Sequence, residues 1–310
     1  MEKSLFNIIT QHTFQSSICF DFAGVSKTFA SHSSGPLKRS NYLIHIVLAG
    51  HGTYFTSNQK YTLSAGDFFL VRPNETIFYQ ADLNDPWHYA WISIGGDETT
   101  QLIEHFSPFK NNRYIFSCSN IKQYLQLIIK TLTLTDQKPK SELQLNQISS
   151  TFLELLMDEN GLEVNSSRQE ISHQLMSEYT KLALTYINNN FTYNTSINDI
   201  ATAIKINRSY FSRLFQRDLG ISPKQFLLRM RINEACQLLQ TTQLSINQIA
   251  EKVGFSNASI FGHSFTQFIH ETPSAYRKRR RFNNISKQYP LEWHQIDDIL
   301  GGLNPVQQST

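Results

Sequence analysis

The feature that most constrains the fold of this chain is an internal repeat near its C-terminus. Residues Ser196–Ala201 read Ser-Ile-Asn-Asp-Ile-Ala, and residues Ser245–Ala250 repeat them with one change, 49 positions later. Phe215 and Phe265 then match at an offset of 50. A repeat of this length indicates two copies of one supersecondary unit, because such a unit cannot bury its apolar face alone.

Each copy is predicted to contain a short helix, a turn and a second helix. A serine stands at the N-cap of the first helix in both copies. In the first copy the second helix is predicted from Arg208 to Arg217. Its apolar residues face inward, and its outer face carries Arg208, Ser209, Ser212 and Arg213. This layout is typical of a helix-turn-helix, in which the second helix presents side chains to base edges in the major groove of DNA.

The second copy is predicted to be a weaker DNA reader than the first. Its second helix is predicted from Asn257 to Phe268 and has no lysine or arginine. The outward residues are Asn257, Ala258, Ser259, Gly262 and His263. We therefore expect it to bind phosphate weakly. A helix predicted from Pro223 to Gln240 connects the units. If it is rigid, it places the second helix of each unit, its reading helix, in successive major grooves about 34 Å apart.

Charge is distributed unevenly along the chain. Residues 176–281 hold 14 Lys and Arg against 6 Asp and Glu, a net charge of +8. The remainder holds 14 against 19, a net charge of −5. A basic domain joined to a mildly acidic one is typical of a polyanion binder that carries a separate module. The basic run Arg277–Arg281 is interpreted either as a phosphate anchor or as a solvated tail.

The chain before about Gly96 is predicted to be strand-rich. Runs such as Tyr42–Leu48 and Phe68–Val71 are β-branched and aromatic, and turn residues separate them. Closely spaced strands of this kind predict a small sandwich or barrel. Beyond it, two segments with apolar residues at helical spacing, within 125–132 and 145–156, predict a helical hairpin. Its apolar stripe either docks on the barrel or pairs with a second copy of the chain.

The repeats resemble the DNA-binding domain of the AraC/XylS family of transcriptional regulators over about 100 residues. The matching segments are Ser209–Phe215, Gly220–Pro223, Arg231–Ala235, Ile249–Phe255 and Thr272–Arg277. The resemblance implies that the outward residues of both second helices contact double-stranded DNA at repeated half-sites, with RNA polymerase as a further partner. The chain departs from the family at His263 and Thr266, where a basic residue is usual, and at His270, where glycine usually ends the helix.

The segment from about residue 20 to 95 resembles the cupin-like barrel at the N-terminus of sugar-responsive members of that family. The matching segments are His32–Pro36, Tyr42–His45, Gly50–Gly52, Leu63–Asp67, Arg72–Glu75 and Pro86–Trp91. The resemblance implies a small effector, most often a sugar, inside the barrel. Tyr79, Tyr89 and Trp91 lie where the family's ligand-contacting aromatics fall, and Arg39 and His32 are candidate polar contacts. Packing or surface roles are the alternatives for each.

We therefore predict an α+β fold, a cupin-like, jelly-roll-like β-barrel with a helical hairpin followed by an all-α domain of two helix-turn-helix units. The predicted boundaries are 1–160 for an effector-binding and dimerisation domain, 161–175 for a linker, 176–281 for the DNA-binding domain and 282–310 for a C-terminal extension. A helix beginning at Pro290 in the extension either docks on the chain or on a dimer partner, or is a frayed appendage.

The predicted function is an effector-controlled, dimeric transcriptional activator of carbohydrate-utilisation genes. One alternative is a constitutive DNA binder whose barrel only dimerises. Another is a cupin enzyme fused to DNA-binding repeats, but His45 and His51 stand alone where a metal-dependent cupin needs a cluster of ligands. We therefore expect no catalytic residue, no metal and no cofactor. Scattered cysteines and the lack of a long apolar run favour a cytoplasmic protein with no membrane partner.

Overall fold

The computed structural model describes residues 3–9, 12–30, 32–56, 59–118, 120–134, 138–159, 174–283 and 300. The strands are β1 (Lys3–Ile8), β2 (Cys19–Lys27), β3 (Ser33–Leu37), β4 (Tyr42–Ala49), β5 (His51–Phe55), β6 (Gln59–Ser64), β7 (Asp67–Val71), β8 (Ile77–Ala81), β9 (His88–Gly95), β10 (Ile115–Ser117) and β11 (Gln174–Leu175). The helices are α1 (Thr99–Phe106), α2 (Ile121–Thr133), α3 (Pro139–Asp158), α4 (Glu178–Asn190), α5 (Ile197–Ala203), α6 (Arg208–Leu219), α7 (Pro223–Thr241), α8 (Ile246–Lys252), α9 (Ala258–Ile269) and α10 (Pro273–Asn283).

The strands form two sheets rather than a closed barrel. The first sheet has the order β1-β2-β9-β4-β7-β10, and the second has the order β11-β6-β5-β8-β3. Closing them into a barrel would require hydrogen bonds between the edge strands of the two sheets, and within the described strands no such ladder forms. The expected barrel is therefore corrected to a two-sheet sandwich, followed as predicted by a helical domain.

The sheets and helices are arranged in layers. One face of the first sheet packs against α2 and α3 in a core that includes Ile44. Its other face packs against the second sheet, in a core that includes Phe69. The outer face of the second sheet contributes Phe55 and Phe78 to the core of the C-terminal helices. Because β4 lies between two cores, the whole segment Tyr42–Leu48 is buried, which explains its continuous apolar run.

The apolar stripe of the helical hairpin docks on the first sheet. Leu125, Ile128, Phe152 and Leu156 are each at most 2 % exposed and share a core with the strands. Since these side chains are buried within the chain, they are not available to pair with a second copy. The structure thus favours the docking interpretation of the stripe.

The C-terminal helices form two cores that share α7. Phe226 and Met230 of α7 belong to the core of the first repeat, whereas Ile232 and Leu239 belong to the core of the second. Both faces of α7 are therefore buried, and the helix connects the two repeats directly, as the sequence predicts.

The repeated units begin their helices with the same local signals. Ser196 forms a capping box with Asp199 at the start of α5, and Ser245 forms one with Gln248 at the start of α8. Asn207 caps α6, and Asn257 caps α9. These caps satisfy backbone N–H groups that the first turn of a helix leaves without partners.

Two predicted segments lie largely outside the described residues. The linker expected at 161–175 is described only at 174–175, where β11 pairs with Gln59 and Lys60 of β6. Of the extension expected at 282–310, the structure describes 282–283, which end α10, and Leu300. Leu300 is 1 % exposed and packs in the core of the first sheet with α2 and α3. None of the helices described has both the length and the apolar character needed to cross a bilayer.

Candidate DNA-binding surface and effector site

The outer face of α6 carries the predicted contact residues of the first repeat. Arg208, Ser209 and Arg213 are exposed, and Ser212 is half-buried, while Phe211 on the opposite face is fully buried. Neither arginine forms a salt bridge with another described residue. Both guanidinium groups can therefore donate to DNA, and arginine can bond the O6 and N7 atoms of guanine together.

Asp218 fixes α6 to the start of α4. Its carboxylate accepts hydrogen bonds from the Thr180 hydroxyl at 2.6 Å and the Ser177 backbone N–H at 3.0 Å. Burial raises the pKa of this carboxyl group, but the hydrogen bonds outweigh burial, so its pKa lies below the ordinary value. The ionised carboxylate of Asp218 thus holds the C-terminal end of α6 against the start of α4. The outer face of α6 is the one predicted to contact DNA.

The outer face of α9 is polar and small. Ser259 and His263 are exposed, and Ala258 and Gly262 are half-buried. The amide oxygen of Asn257 accepts the Ile260 backbone N–H at 2.8 Å, which leaves its NH₂ group for an outside partner. A Cβ atom at Gly262 would meet no atom within 4 Å. Packing therefore does not require this glycine, and its position leaves the backbone of α9 open to close approach by DNA.

One exposed position in each of α6 and α9 was not among the contact residues predicted from the sequence. Tyr210 in α6 is 45 % exposed and Ile260 in α9 is 50 % exposed. The repeat offset of 50 aligns these two positions. This alignment was the signal in the sequence that could have identified them as contact positions. Large side chains at equivalent places on both outer faces are candidates for apolar contact with DNA bases.

An aromatic layer between the two sheets brings together three of the five predicted effector residues. Trp91, His45 and Phe69 are cross-strand neighbours in one row of the first sheet. Tyr79 lies opposite them on β8, with its ring centre 5.6 Å from that of Phe69. Tyr89 on β9 lies 6.0 Å from Tyr79 and 5.5 Å from Trp91, measured between ring centres.

Trp91 is the most accessible of these three residues. Tyr79 and Tyr89 are 6 % and 3 % exposed, whereas Trp91 is half-buried. The indole of Trp91 lies over Gly24 on β2, where a Cβ atom would stand 2.4 Å from Trp91 Cζ2. Gly24 therefore provides the space that the indole occupies, and Trp91 offers an aromatic surface at the edge of the layer.

The two predicted polar contacts lie at the periphery of the aromatic layer. Arg39 is exposed, and its guanidinium lies 5.3 Å from the centre of the Phe22 ring. His32 is half-buried and packs edge-on against Phe29, with ring centres 5.1 Å apart. Its carbonyl oxygen accepts the backbone N–H of Ala81 at 2.7 Å, which ties it to the end of β8.

His45 lies among the predicted effector residues, although the sequence did not select it as one. Its ring stacks on Phe69 with centres 4.3 Å apart, and lies 5.0 Å from Tyr79 and 5.4 Å from Tyr89. Burial, together with the charge of Arg39, lowers the pKa of His45 to about 3, so the ring is neutral at neutral pH. Its Nδ1 atom has no hydrogen-bond partner among the described residues. The signal in the sequence that could have identified His45 is a single histidine inside the otherwise apolar run Tyr42–Leu48.

A cleft lies between the second sheet and the C-terminal helices. Its apolar walls include Phe55, Phe78, Phe226 and Leu219. Four polar residues also line it, namely Thr56, Thr76, Thr185 and Asn188. The Thr76 hydroxyl donates a hydrogen bond to the amide oxygen of Asn188 at 2.5 Å. The cleft therefore has a mixed lining of apolar and polar residues. The described residues contain no group of three His, Cys, Asp or Glu side chains that could hold a metal ion.

The helix α7 contacts β3 of the second sheet. Arg229 donates a hydrogen bond to the hydroxyl of Ser33, and Asn233 donates one to the carbonyl oxygen of Pro36 at 3.2 Å. The guanidinium of Arg229 also lies 5.8 Å from the centre of the Phe268 ring in α9. Burial lowers the pKa of Arg229. One half-buried cation, Arg229, thus contacts both the sheet domain and α9 of the second repeat.

Two families match the two parts of the chain. A helix-turn-helix domain family matches residues 200–279, and the AraC-like ligand binding domain family matches residues 20–171. A solved structure of ToxT from Vibrio cholerae covers 84% of this chain and 98% of its own, with 16% sequence identity and a TM-score of 0.38.

Several relatives are similar over most of their length. The Msm operon regulatory protein of Streptococcus mutans is 31% identical over 264 residues, which are 85% of this chain and 93% of the relative. The lactose operon transcription activator of Staphylococcus xylosus is 28% identical over 78% of this chain and 85% of its own. The raffinose operon regulatory protein RafR of Pediococcus pentosaceus is 29% identical over 77% and 86%. With both domains matched and such similarity to regulators of sugar operons, this chain belongs to the AraC family of transcriptional regulators.

Proposed function

We propose that this chain activates transcription of a carbohydrate-utilisation operon in response to a galactoside. The observation that carries the proposal is its similarity to relatives named for the lactose and raffinose operons. Lactose and raffinose both contain a galactosyl residue in glycosidic linkage. Activation is the proposed direction because the lactose operon relative is named as an activator.

The aromatic layer supports a sugar as the effector. A sugar ring presents CH groups to a flat aromatic face and needs a few fixed polar groups for its hydroxyls. Trp91 supplies an accessible face, and Tyr79 and Tyr89 supply further rings beside it. In this proposal Arg39 and His32 reach the sugar from the periphery when it binds, so the site closes around its ligand.

The two repeats support sequence-specific DNA binding by two helix-turn-helix units of unequal strength, the two reading heads. In the proposal, Arg208, Ser209, Ser212 and Arg213 read one half of a site, and Asn257, Ala258, Ser259, Gly262 and His263 read the other. A homodimer would bind repeated half-sites next to a promoter, where RNA polymerase is the further partner. In this proposal the protein acts on DNA in the cytoplasm.

A continuous set of contacts supports control of the DNA-binding domain by the effector. On β8, Tyr79 faces the aromatic layer, while Phe78 faces Phe226 of α7 with ring centres 5.9 Å apart. Ser34 pairs with Tyr79 across β3 and β8, and the neighbouring Ser33 accepts the hydrogen bond from Arg229. A shift of β8 and β3 on sugar binding would therefore move α7, provided that the sugar binds the two arrangements with different affinity.

The proposal is tested by selecting bound DNA from a random library, using full-length protein with and without raffinose, melibiose or lactose. Maltose, which lacks galactose, is the matched control. We expect one repeated motif whose recovery at limiting protein increases with a galactoside and not with maltose. Equal recovery in all conditions would favour the alternative of a constitutive regulator. Recovery of no common motif would contradict sequence-specific binding.

A further inference from the structure

We propose that His45 is an effector-contacting residue whose imidazole hydrogen-bonds a hydroxyl group of an uncharged glycoside. This inference rests on the proposed function, because it adds a residue to the same effector site. Neither the family resemblance nor the sequence prediction assigned this role to His45.

The position of His45 is the first argument. It is the cross-strand neighbour of Trp91 on one side and of Phe69 on the other. Its ring centre is 5.0 Å from that of Tyr79 and 5.4 Å from that of Tyr89. The imidazole is therefore surrounded by the three aromatic residues proposed to hold the sugar, and it is 1 % exposed.

The hydrogen bonding of the aromatic layer is the second argument. Tyr54, a fully buried member of the layer, donates its hydroxyl to the carbonyl oxygen of Leu70 at 2.8 Å. In contrast, His45 Nδ1 and Trp87 Nε1 are both buried without a hydrogen-bond partner among the described residues. A buried polar atom without a partner destabilises the folded protein. A phenylalanine at position 45 would stack on Phe69 without this penalty, so the retained nitrogen indicates a partner that arrives with the ligand.

The chemistry of a neutral imidazole selects the class of ligand. A neutral histidine has one N–H donor and one acceptor nitrogen, while a tryptophan indole can only donate. A hydroxyl group can both donate and accept, so it matches either imidazole nitrogen. A phosphate oxygen can only accept from a neutral imidazole, and the layer is buried in apolar surroundings that disfavour a dianion. We therefore assign an uncharged glycoside rather than a sugar phosphate.

The test is calorimetric titration of full-length protein with raffinose, melibiose, lactose and galactose 6-phosphate. Three variants accompany the wild type. His45→Phe removes the nitrogen and keeps a stacking ring, and His45→Gln restores a donor and an acceptor. Tyr54→Phe is the matched control, because it removes a hydroxyl that already has a partner inside the chain.

We expect His45→Phe to weaken binding of the best uncharged galactoside by about tenfold or more, the scale of one lost hydrogen bond to a buried group. Its Tm without ligand should equal or exceed that of the wild type. His45→Gln should recover part of the affinity. Tyr54→Phe should show the opposite pattern, a lower Tm with affinity within twofold of the wild type.

The outcomes separate this inference from the proposed function. If the wild type binds a galactoside and both His45 variants bind it equally well, the role of His45 is overturned and the galactoside assignment stands. If the wild type binds none of the four sugars, the galactoside assignment fails, and the role of His45 fails with it. Tighter binding of galactose 6-phosphate than of every uncharged galactoside would contradict the assigned ligand class.

Discussion

At the scale of single residues, the aromatic layer depends on side chains that are buried against the usual preference of their type. His45 is 1 % exposed, although an exposed histidine titrates at about pH 6.5 and is partly charged near neutral pH. Gly24 has no side chain, which leaves room for the indole of Trp91 to lie over β2. Both features place polar or bulky groups between the sheets.

The burial of His45 predicts a specific dependence of stability on pH. Its folded-state pKa of about 3 lies below the ordinary value near 6.5, so between these values the unfolded chain binds a proton that the folded chain does not. Stability therefore falls as pH falls below 6.5, by about 1.4 kcal/mol per pH unit, until about pH 3. His45→Phe should remove this loss. Between pH 7 and pH 5 its free energy of unfolding should therefore rise by about 2 kcal/mol relative to that of the wild type. Urea unfolding at both pH values measures this difference, and parallel pH dependence of the two proteins would contradict a buried neutral imidazole.

The ends of the two reading helices predict opposite effects of matched substitutions. Gly220 ends α6 with a φ angle of 74°, and His270 ends α9 with a φ angle of 65°. A left-handed conformation costs a residue with a side chain about 1 to 2 kcal/mol, while glycine adds about 0.4 to 1 kcal/mol of unfolded-state entropy. His270→Gly should thus stabilise the protein by up to about 1 kcal/mol, and Gly220→Ala should destabilise it. Thermal unfolding of both variants checks the signs, and a lower Tm for His270→Gly would count against this explanation.

At the scale of elements, the repeated helices were predictable from the sequence because their signals are local. Ser196 and Asn207 act within one or two turns of the helices they cap, so spacing alone placed α5 and α6. The predicted end of α6 at Arg217 is two residues short of the observed end at Leu219. The pairing of strands depends on residues far apart in sequence, so the division into two sheets and the docking of the hairpin required the structure.

The candidate effector site was predictable only in part for the same reason. Tyr79, Tyr89 and Trp91 were placed by resemblance to a known family, and the structure brings them into one layer. The sequence did not point to His45, because its proposed role depends on the register of β4 between β9 and β7, which the sequence of β4 alone does not reveal.

The two reading helices predict unequal effects of alanine substitution on DNA binding. Arg213→Ala should weaken binding to the selected motif by about 1 to 3 kcal/mol and relax the preference at one base position. His263→Ala should have a smaller effect, because a histidine at this place supplies at most a short polar contact. Fluorescence anisotropy with the selected motif and with single-base variants measures both. A larger effect of His263→Ala would reverse the proposed order of the two heads.

At the scale of the whole molecule, α7 connects three parts of the protein. It belongs to the cores of both repeats, and it also contacts β3 through Arg229 and Asn233. The effector domain therefore meets the DNA-binding domain at the element that holds the two reading heads together. This arrangement suits a regulator, because β3 and β8 directly contact α7, the helix that sets the spacing of the two heads. A structural change in these strands would therefore act on α7.

The contacts between α7 and β3 predict that variants at this interface keep their affinity for the sugar. They should lose the effect of the sugar on DNA affinity. Arg229→Ala should leave the affinity for a galactoside within about twofold of the wild type while reducing the effect of the sugar on DNA affinity. The physical reason is that Arg229 joins Ser33 to α7 and α9 without lying in the aromatic layer. Lys224→Ala is the matched control, since Lys224 is an exposed cation on the same helix. Full sugar responsiveness of Arg229→Ala would exclude this contact as a route of communication.

The central claim, that this chain couples galactoside binding to DNA binding, is tested most directly by measuring the affinity of the full-length protein for its selected DNA motif at increasing galactoside concentration. Allosteric coupling of ordinary strength changes affinity by about 5- to 150-fold, and the same factor must describe the effect of DNA on sugar affinity. We predict a saturable increase in DNA affinity within this range for a galactoside and none for maltose. An unchanged DNA affinity at sugar concentrations that saturate the protein would contradict the account.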